Sequence, residues 1–274
     1  MATNPSARLT DKEVTAFRRK IFAFYRRYGR QLPFRETADP YCITVAELML
    51  QQTQVERVIE KYRQWLERWP DWQALAQASR RDLLAMWSGL GYNRRALYLG
   101  EMARCIVDEY DGVMPQEPEQ LVRLPGIGPY TAHAIAIFAF NKPVITIDTN
   151  IRKVLIHEFG LPHDISRAEL ERLAYRLLPR RRSRDWHNAL MDYCRIAIKE
   201  AARTIAPLSR QSKFAGSQRQ IRGEIVRQLT TKKRVALARV AEQMGRTIAD
   251  VRTAAQSLER DGVVIVTAKT VRLA

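Results

Sequence analysis

Two acidic residues and one glycine turn have the types and spacing to do chemistry. Glu47 lies in the run Val45-Ala46-Glu47-Leu48-Met49-Leu50, with apolar residues on both sides. Burial among such neighbours disfavours the charged form of a carboxyl and raises its pKa. A carboxyl kept protonated near neutral pH can serve as a general acid. The same position also suits a structural glutamate hydrogen-bonded across a helix pair. Asp148 ends the stretch Val144-Ile145-Thr146-Ile147 and directly precedes a helical pattern, Thr149–Phe159. The helix dipole favours a carboxylate there and tends to keep it ionised. Such a charge could stabilise a developing sugar cation, as carboxylates do in glycoside cleavage. It could equally be a plain N-cap, where aspartate is common. The turn Leu124-Pro125-Gly126-Ile127-Gly128-Pro129 is the third feature. Its glycines let the backbone fold sharply and expose N–H groups, and Pro129 fits the first turn of the next helix. A helix N-terminus of this kind can take a DNA phosphate. Gly-x-Gly alone would favour an ordinary helix–helix turn. Leu124-Pro125 before it and Tyr130-Thr131-Ala132 after it, in a basic chain, favour the phosphate site.

The elements that must position these groups are mostly helical. Apolar residues recur at helical spacing over Asp11–Tyr28, with Val14, Phe17, Ile21, Phe22 and Tyr25 on one side. Tyr41–Val55 is apolar nearly all round, which predicts a buried central helix. Further helices are expected over Glu56–Trp69, Trp72–Ala78, Arg80–Trp87, Arg94–Tyr110, Glu117–Arg123, Tyr130–Phe140, Thr149–Phe159, Arg167–Leu178 and Asp185–Ala202. Pro207–Ser217 has linker composition. After it, helices over Arg219–Leu229, Val235–Met244 and Ile248–Leu258 and two short strands within Val263–Leu273 spell a winged-helix-like module. That module is either a DNA reader or a structural appendage.

Composition narrows the classes of function. The chain has 274 residues, 46% of them hydrophobic, which supports a sizeable core and excludes general disorder. Forty-six Lys+Arg against 29 Asp+Glu leave a net charge of +17. A field of that sign attracts polyanions, nucleic acid above all, although it also aids solubility. A basic membrane-surface protein would add a strongly amphipathic anchor, and none is evident. Three scattered cysteines, Cys42, Cys105 and Cys194, make neither a disulfide framework nor a metal-ligand pattern. They fit a reducing compartment. Met1–Thr10 lacks the apolar run of a signal peptide, and no stretch reaches the ~18 apolar residues of a membrane span. A soluble intracellular protein is expected, cytoplasmic and nucleoid-associated.

From about Leu32 to Asp192 the order and spacing of several segments resemble one family. They are Leu32-Pro33-Phe34-Arg35, Asp39-Pro40-Tyr41, Ala46 to Val55, Trp87-Ser88-Gly89-Leu90-Gly91-Tyr92, the glycine hairpin, Ile147-Asp148-Thr149-Asn150 and Asn188 to Asp192. Together they are similar to the MutY-like adenine glycosylases of the endonuclease III superfamily, marked by a helix-hairpin-helix and a catalytic aspartate. Phe214 to Gly223 also resembles the tail of short bacterial members. The resemblance implies a mainly α, two-lobed helix-hairpin-helix DNA glycosylase fold with a small C-terminal winged-helix-like α+β module. The expected lobes are 1–28 with 141–210, carrying the catalytic aspartate, and 29–140, carrying the hairpin, with the module at 218–274. By resemblance, Glu47 protonates the leaving adenine, Asp148 stabilises the sugar cation or its covalent adduct, and Asn150 supports that site. Tyr130 stands where bifunctional relatives place a Schiff-base lysine, which implies base removal without β-elimination. Gln52 and Tyr92 resemble residues that wedge into the duplex. Gly126, Gly128 and Thr131 of the hairpin face the DNA backbone, and Arg35 and Asp192 line the base pocket.

The sequence also departs from that family. Members usually carry an iron–sulfur cluster held by four cysteines, whereas here Cys194 stands alone near the corresponding place. One thiolate cannot hold such a cluster, so no cofactor is expected, with packing by Tyr193, Ile196 and Ile198 in its stead. A Nudix-like domain that reads 8-oxoguanine in many members is replaced by the winged-helix-like module. Asn93 replaces a common tyrosine and Thr149 a common glycine, both at positions near the DNA. The leading expectation is a monomeric, monofunctional glycosylase that flips adenine out of mispairs with 8-oxoguanine or guanine in double-stranded DNA. A thymine or uracil glycosylase acting on T·G or U·G pairs is the alternative, and a non-catalytic DNA-binding protein a second. The basic segment Pro179 to Arg184 is either a phosphate contact or a solvated loop.

Overall fold

A computed structural model describes residues 9–207 and 214–274, so the segment Met1 to Arg8 and most of the expected linker lie outside the described residues. The described residues fall into two compact units, one drawn from 9–43, 116–122 and 127–207, the other from 44–115, 123–126 and 214–274.

The first unit is helical. Helix α1 (Asp11–Tyr28) starts at a reciprocal cap in which Thr10 accepts from the Glu13 amide and Glu13 reaches back to Thr10. It buries Val14, Phe17 and Ile21. Along the chain, α2 (Pro40–Leu50) begins in the first unit and ends in the second, α3 (Val55–Arg68), α4 (Trp72–Ala76), α5 (Arg80–Met86) and α6 (Arg94–Glu109) belong to the second, and α7 (Pro118–Leu121) belongs to the first. Then come α8 (Pro129–Phe138), α9 (Thr149–Phe159), α10 (Arg167–Leu177), α11 (Ser183–Ile196) and α12 (Lys199–Thr204). In the first unit, α1, α9, α10 and α11 share a core that holds Ile21, Val154, Leu173 and Ala189. Phe17 meets Trp186 edge-on at 5.7 Å between ring centres. The helix expected over Asp185–Ala202 is broken. Ile198 leaves helical geometry between α11 and α12 and packs into the core, while Ile196 is 43% exposed. Ile196 therefore supplies none of the packing expected of it, whereas Tyr193, Ile198 and Ile205 are buried.

The second unit has a tryptophan core and an appended α+β module. Trp65 packs against Trp69 at 4.8 Å and Trp87 at 5.5 Å. The module contains α13 (Gln218–Thr231), β1 (Val235–Ala236), α14 (Leu237–Met244), α15 (Ile248–Arg260), β2 (Val264–Val266) and β3 (Thr270–Leu273). Its three strands are antiparallel in the order β1-β3-β2. Residues 235–236, expected to open a helix, instead form a strand because Val235 pairs with Val271 and both are buried. The module shares its core with helices of the same unit. Leu84 of α5 and Leu97 of α6 join its core of Ile225, Leu229, Val251 and Leu258. Arg81 donates to the carbonyls of Leu229 and Thr230 at the end of α13, and Arg80 to that of Gly262. Helix α8, expected with the barrel lobe, groups with the Asp148 unit. No helix among the described residues is long and apolar enough to cross a membrane.

Candidate active site

The segment that delivers Asp148 is held by α11. Ser183 Oγ donates to the Val144 carbonyl, and the Thr146 amide donates to His187 Nε2. The other ring nitrogen of His187 lies 2.7 Å from the Ser183 carbonyl, which can only accept, so Nδ1 carries the proton. Burial pushes the His187 pKa down to about 4, and the imidazole is neutral. Asp148 then caps α9. Its Oδ1 accepts from the Ile151 amide at 2.7 Å and its Oδ2 from Asn150 Nδ2 at 2.7 Å. The capping reading and the chemical reading thus describe the same geometry. Burial raises the carboxyl above its usual range, against the opposing pull of the Ile151 and Asn150 hydrogen bonds. The helix terminus does not dominate as the sequence alone suggested.

Asp192 of α11 lies in the same unit and is fully buried. Arg35 grips it with two bonds, 2.7 and 3.1 Å, and Arg30 adds its side chain at 2.6 Å and its amide at 2.8 Å. Burial pushes this carboxyl up, but the two arginines outweigh it and leave it below the usual range. The pair ties the 3-10 turn Pro33–Arg35 to α11.

The hairpin forms as the sequence requires. Gly126 has φ 76, and a Cβ there would stand 2.5 Å from the Tyr98 ring, so conformation and space both demand glycine. Gly128 caps α8 without a side chain, and a Cβ there would meet open space. Pro129 takes the first turn. Tyr130 is 44% exposed beside it, while Thr131 is buried.

Glu47 lies half-buried on α2 between buried Ala46 and Leu48, in the second unit. The helix expected to reach Val55 stops at Leu50, because Gln52 turns into the left-handed region at φ 52. Tyr92 does the same at φ 47. Neither is glycine, and non-glycine residues held this way need support from their surroundings. Arg95 gives that support, and sequence reasoning missed it. Its buried guanidinium donates to the carbonyls of Leu48, Met49 and Gln51 on one loop and of Leu90 and Gly91 on the other. Thr53 Oγ1 also donates to the Gln51 and Leu90 carbonyls, and Trp87 Nε1 to that of Gly91. Burial lowers the Arg95 pKa to about 10, which leaves it charged at neutral pH. Asn93 is buried at the head of α6. A long polar residue in the apolar rhythm of α6 was the only sequence signal for Arg95.

The basic segment is partly structural. Arg182 pairs with Asp185 and stacks on Phe22, and Arg184 donates to the Ala139 carbonyl, while Arg180 and Arg181 are exposed. Cys194 is buried on α11, its thiol is pushed up to about 11 by burial, and no cysteine follows it in the sequence.

Comparison with known proteins places this geometry. Residues 45–180 match the model of the HhH-GPD superfamily of base excision DNA repair proteins. The chain is 36% identical over 233 residues to the adenine DNA glycosylase of Mycobacterium tuberculosis, covering 75% of this chain and 76% of that protein. The structure of a thermostable thymine-DNA glycosylase superposes with a TM-score of 0.61 at 27% identity, over 68% of this chain and 88% of that one. Endonuclease III from a non-covalent DNA complex gives a TM-score of 0.61 at 19% identity, over 73% and 91%, and attests the fold alone. The fold is that of the helix-hairpin-helix DNA glycosylases, mainly helical with a small three-stranded sheet. The chain belongs to the HhH-GPD superfamily of base excision DNA repair proteins.

Proposed function

We propose that the protein is a monofunctional DNA N-glycosylase that removes adenine mispaired with guanine or 8-oxoguanine in double-stranded DNA. The observation that carries this reading is the Asp148 site, a carboxylate gripped at both oxygens by neutral N–H donors at the head of α9. A stacked base is out of reach of any such group, so the nucleotide is extruded at a cost of a few kcal/mol. Glu47 donates a proton to the leaving base as the bond from sugar C1′ to the base nitrogen breaks. Asp148 stabilises the cation left at C1′, and water adds there and loses one proton, replacing the one Glu47 gave to the base, to leave an abasic site. Asn150 orients Asp148. Arg35 and Asp192 shape the base pocket, and Gly126 and Gly128 receive the phosphate backbone, whereas Thr131, expected to join them, is buried. Tyr130 cannot form an imine, so strand cleavage by β-elimination does not follow. We assign the enzyme no cofactor and read it as a monomer at the cell's DNA.

Adenine as the base is supported by 36% identity to the mycobacterial adenine glycosylase. The 27% identity to a thymine-DNA glycosylase keeps thymine as the second reading. Single-turnover release from duplexes containing A·8-oxoguanine, A·G, T·G and U·G decides between them. Release of free adenine from the first two is expected. Release of thymine or uracil alone overturns the adenine assignment, and release from none overturns the enzymatic one.

A further inference from the structure

The second unit holds an open cavity of about 220 Å³ that the reaction just described does not use. Gln51, Gln52, Tyr92 and Arg94 line it from the helical part, and Arg222 and Asp261 from the C-terminal module. The side chains differ in kind. Tyr92 is 41% exposed and offers a ring, and Gln52 an amide, both on the left-handed loops that Arg95 holds. Arg222 lies in the Phe214 to Gly223 segment. Its guanidinium donates to Ser257 Oγ and to the Asp261 carboxylate, and Arg94 donates to the Asp261 carbonyl. Arg222 and Asp261 stay 18% and 38% exposed. A guanidinium and a carboxylate therefore stand side by side next to an aromatic ring.

That combination has a clear chemical complement. A guanine-type base presents a carbonyl oxygen and two N–H donors along one edge. An arginine donates to the carbonyl and a carboxylate accepts from the N–H groups, while the base face stacks on tyrosine. Cytosine and thymine do not offer two donors beside a carbonyl. Extrusion of one base necessarily leaves its partner without hydrogen bonds, and an unpaired polar edge in an interface is costly. We propose that this cavity takes the base left unpaired on the opposite strand. Arg222 and Asp261 of the winged-helix-like module select a guanine-type edge there, whether from guanine or 8-oxoguanine, which share it. The proposal rests on the reading of the protein as a base-flipping glycosylase, but not on which base it releases.

The test is a binding measurement with the full-length protein. The probe is a labelled duplex with a tetrahydrofuran abasic analogue at the target position, opposite guanine, 8-oxoguanine, adenine, cytosine, thymine or a second tetrahydrofuran. No base is released from this probe, so failure of the adenine reading appears only in the release assay. Guanine and 8-oxoguanine are expected to bind at least tenfold tighter than cytosine, thymine or no base. Arg222→Gln and Asp261→Asn should each reduce that preference below threefold, whereas Arg272→Gln on β3 keeps it. Because Arg222 also ties α13 to α15, Arg222→Lys, which keeps the charge and loses the planar fork, should lose the preference with the melting temperature retained. The proposal is overturned by no opposite-base preference, or by a preference that survives both Arg222→Gln and Asp261→Asn. A tenfold preference for 8-oxoguanine over guanine overturns the choice of edge, because the two bases differ only on the other side of the ring.

Discussion

Asp192 and Asp148 belong to the same unit and both feel burial, yet their surroundings differ in charge. Asp192 accepts from two guanidinium groups and an amide and is shut off from solvent. Asp148 accepts only from neutral donors and keeps part of its surface open. Burial acts in the same direction on both, and the arginines alone reverse it at Asp192. A carboxylate whose charge is fully compensated holds structure together. One whose charge is held without compensation is available to a cation that forms during reaction. Both residues match the family pattern in sequence, and only their partners separate the two roles.

The largest effect expected from this contrast is on rate. Asp148→Asn keeps the cap, because asparagine caps as well as aspartate. It removes the charge, so single-turnover base release should fall by roughly 10³-fold while the melting temperature holds or rises. A melting temperature that drops sharply would mean that Asp148 is mainly structural. Asp192→Asn should do the reverse in stability. It leaves Arg30 and Arg35 beside a neutral buried amide, a change that costs about 3–5 kcal/mol. Urea unfolding measures it, and a loss below about 1 kcal/mol would remove the distinction between the two sites.

Two smaller effects sharpen the comparison through pH. His187 is held neutral, with its folded pKa near 4 against 6.5 for the free group. The unfolded chain therefore takes up a proton below pH 6.5 that the folded chain refuses. Stability is fully present above 6.5 and is lost as pH falls toward 4, by at most about 3 kcal/mol. His187→Gln should flatten that acid slope in unfolding experiments. Asp148 works in the opposite direction, since its raised pKa lets the native state bind a proton first, and Asp148→Asn should steepen the slope. The smallest effect is at Asn150, whose hydrogen bond lowers the Asp148 pKa. The acid limb of the release rate should lie above the usual carboxylate range and move higher still in Asn150→Ala. A limb that does not move would separate Asn150 from the reacting carboxylate.

Much of the molecule is legible in its sequence. The all-apolar pattern of α2, the apolar periodicity of α1 and the glycine hairpin are local signals, written within a few residues. Helix and turn propensities act at that range, so the elements fell close to their observed places. The misplaced ends have distant causes. Helix α2 stops at Leu50 where Arg95, more than 40 positions away, takes its last carbonyls. Val235 became a strand because it meets Val271.

The sequence by itself determined which residues could do chemistry: Glu47, Asp148 and the hairpin glycines each announce themselves through immediate neighbours and family spacing. Tertiary structure decided what each charge does. The partners of Asp192 lie about 160 residues earlier in the chain. The two positive-φ loops are joined by Arg95, which follows one of them closely in the sequence but lies 44 positions from Gln51 on the other, and the module shares a core with helices from the middle of the chain. A carboxyl's pKa and a loop's geometry depend on what packs against them from any distance along the chain, and no local pattern of residue types records that.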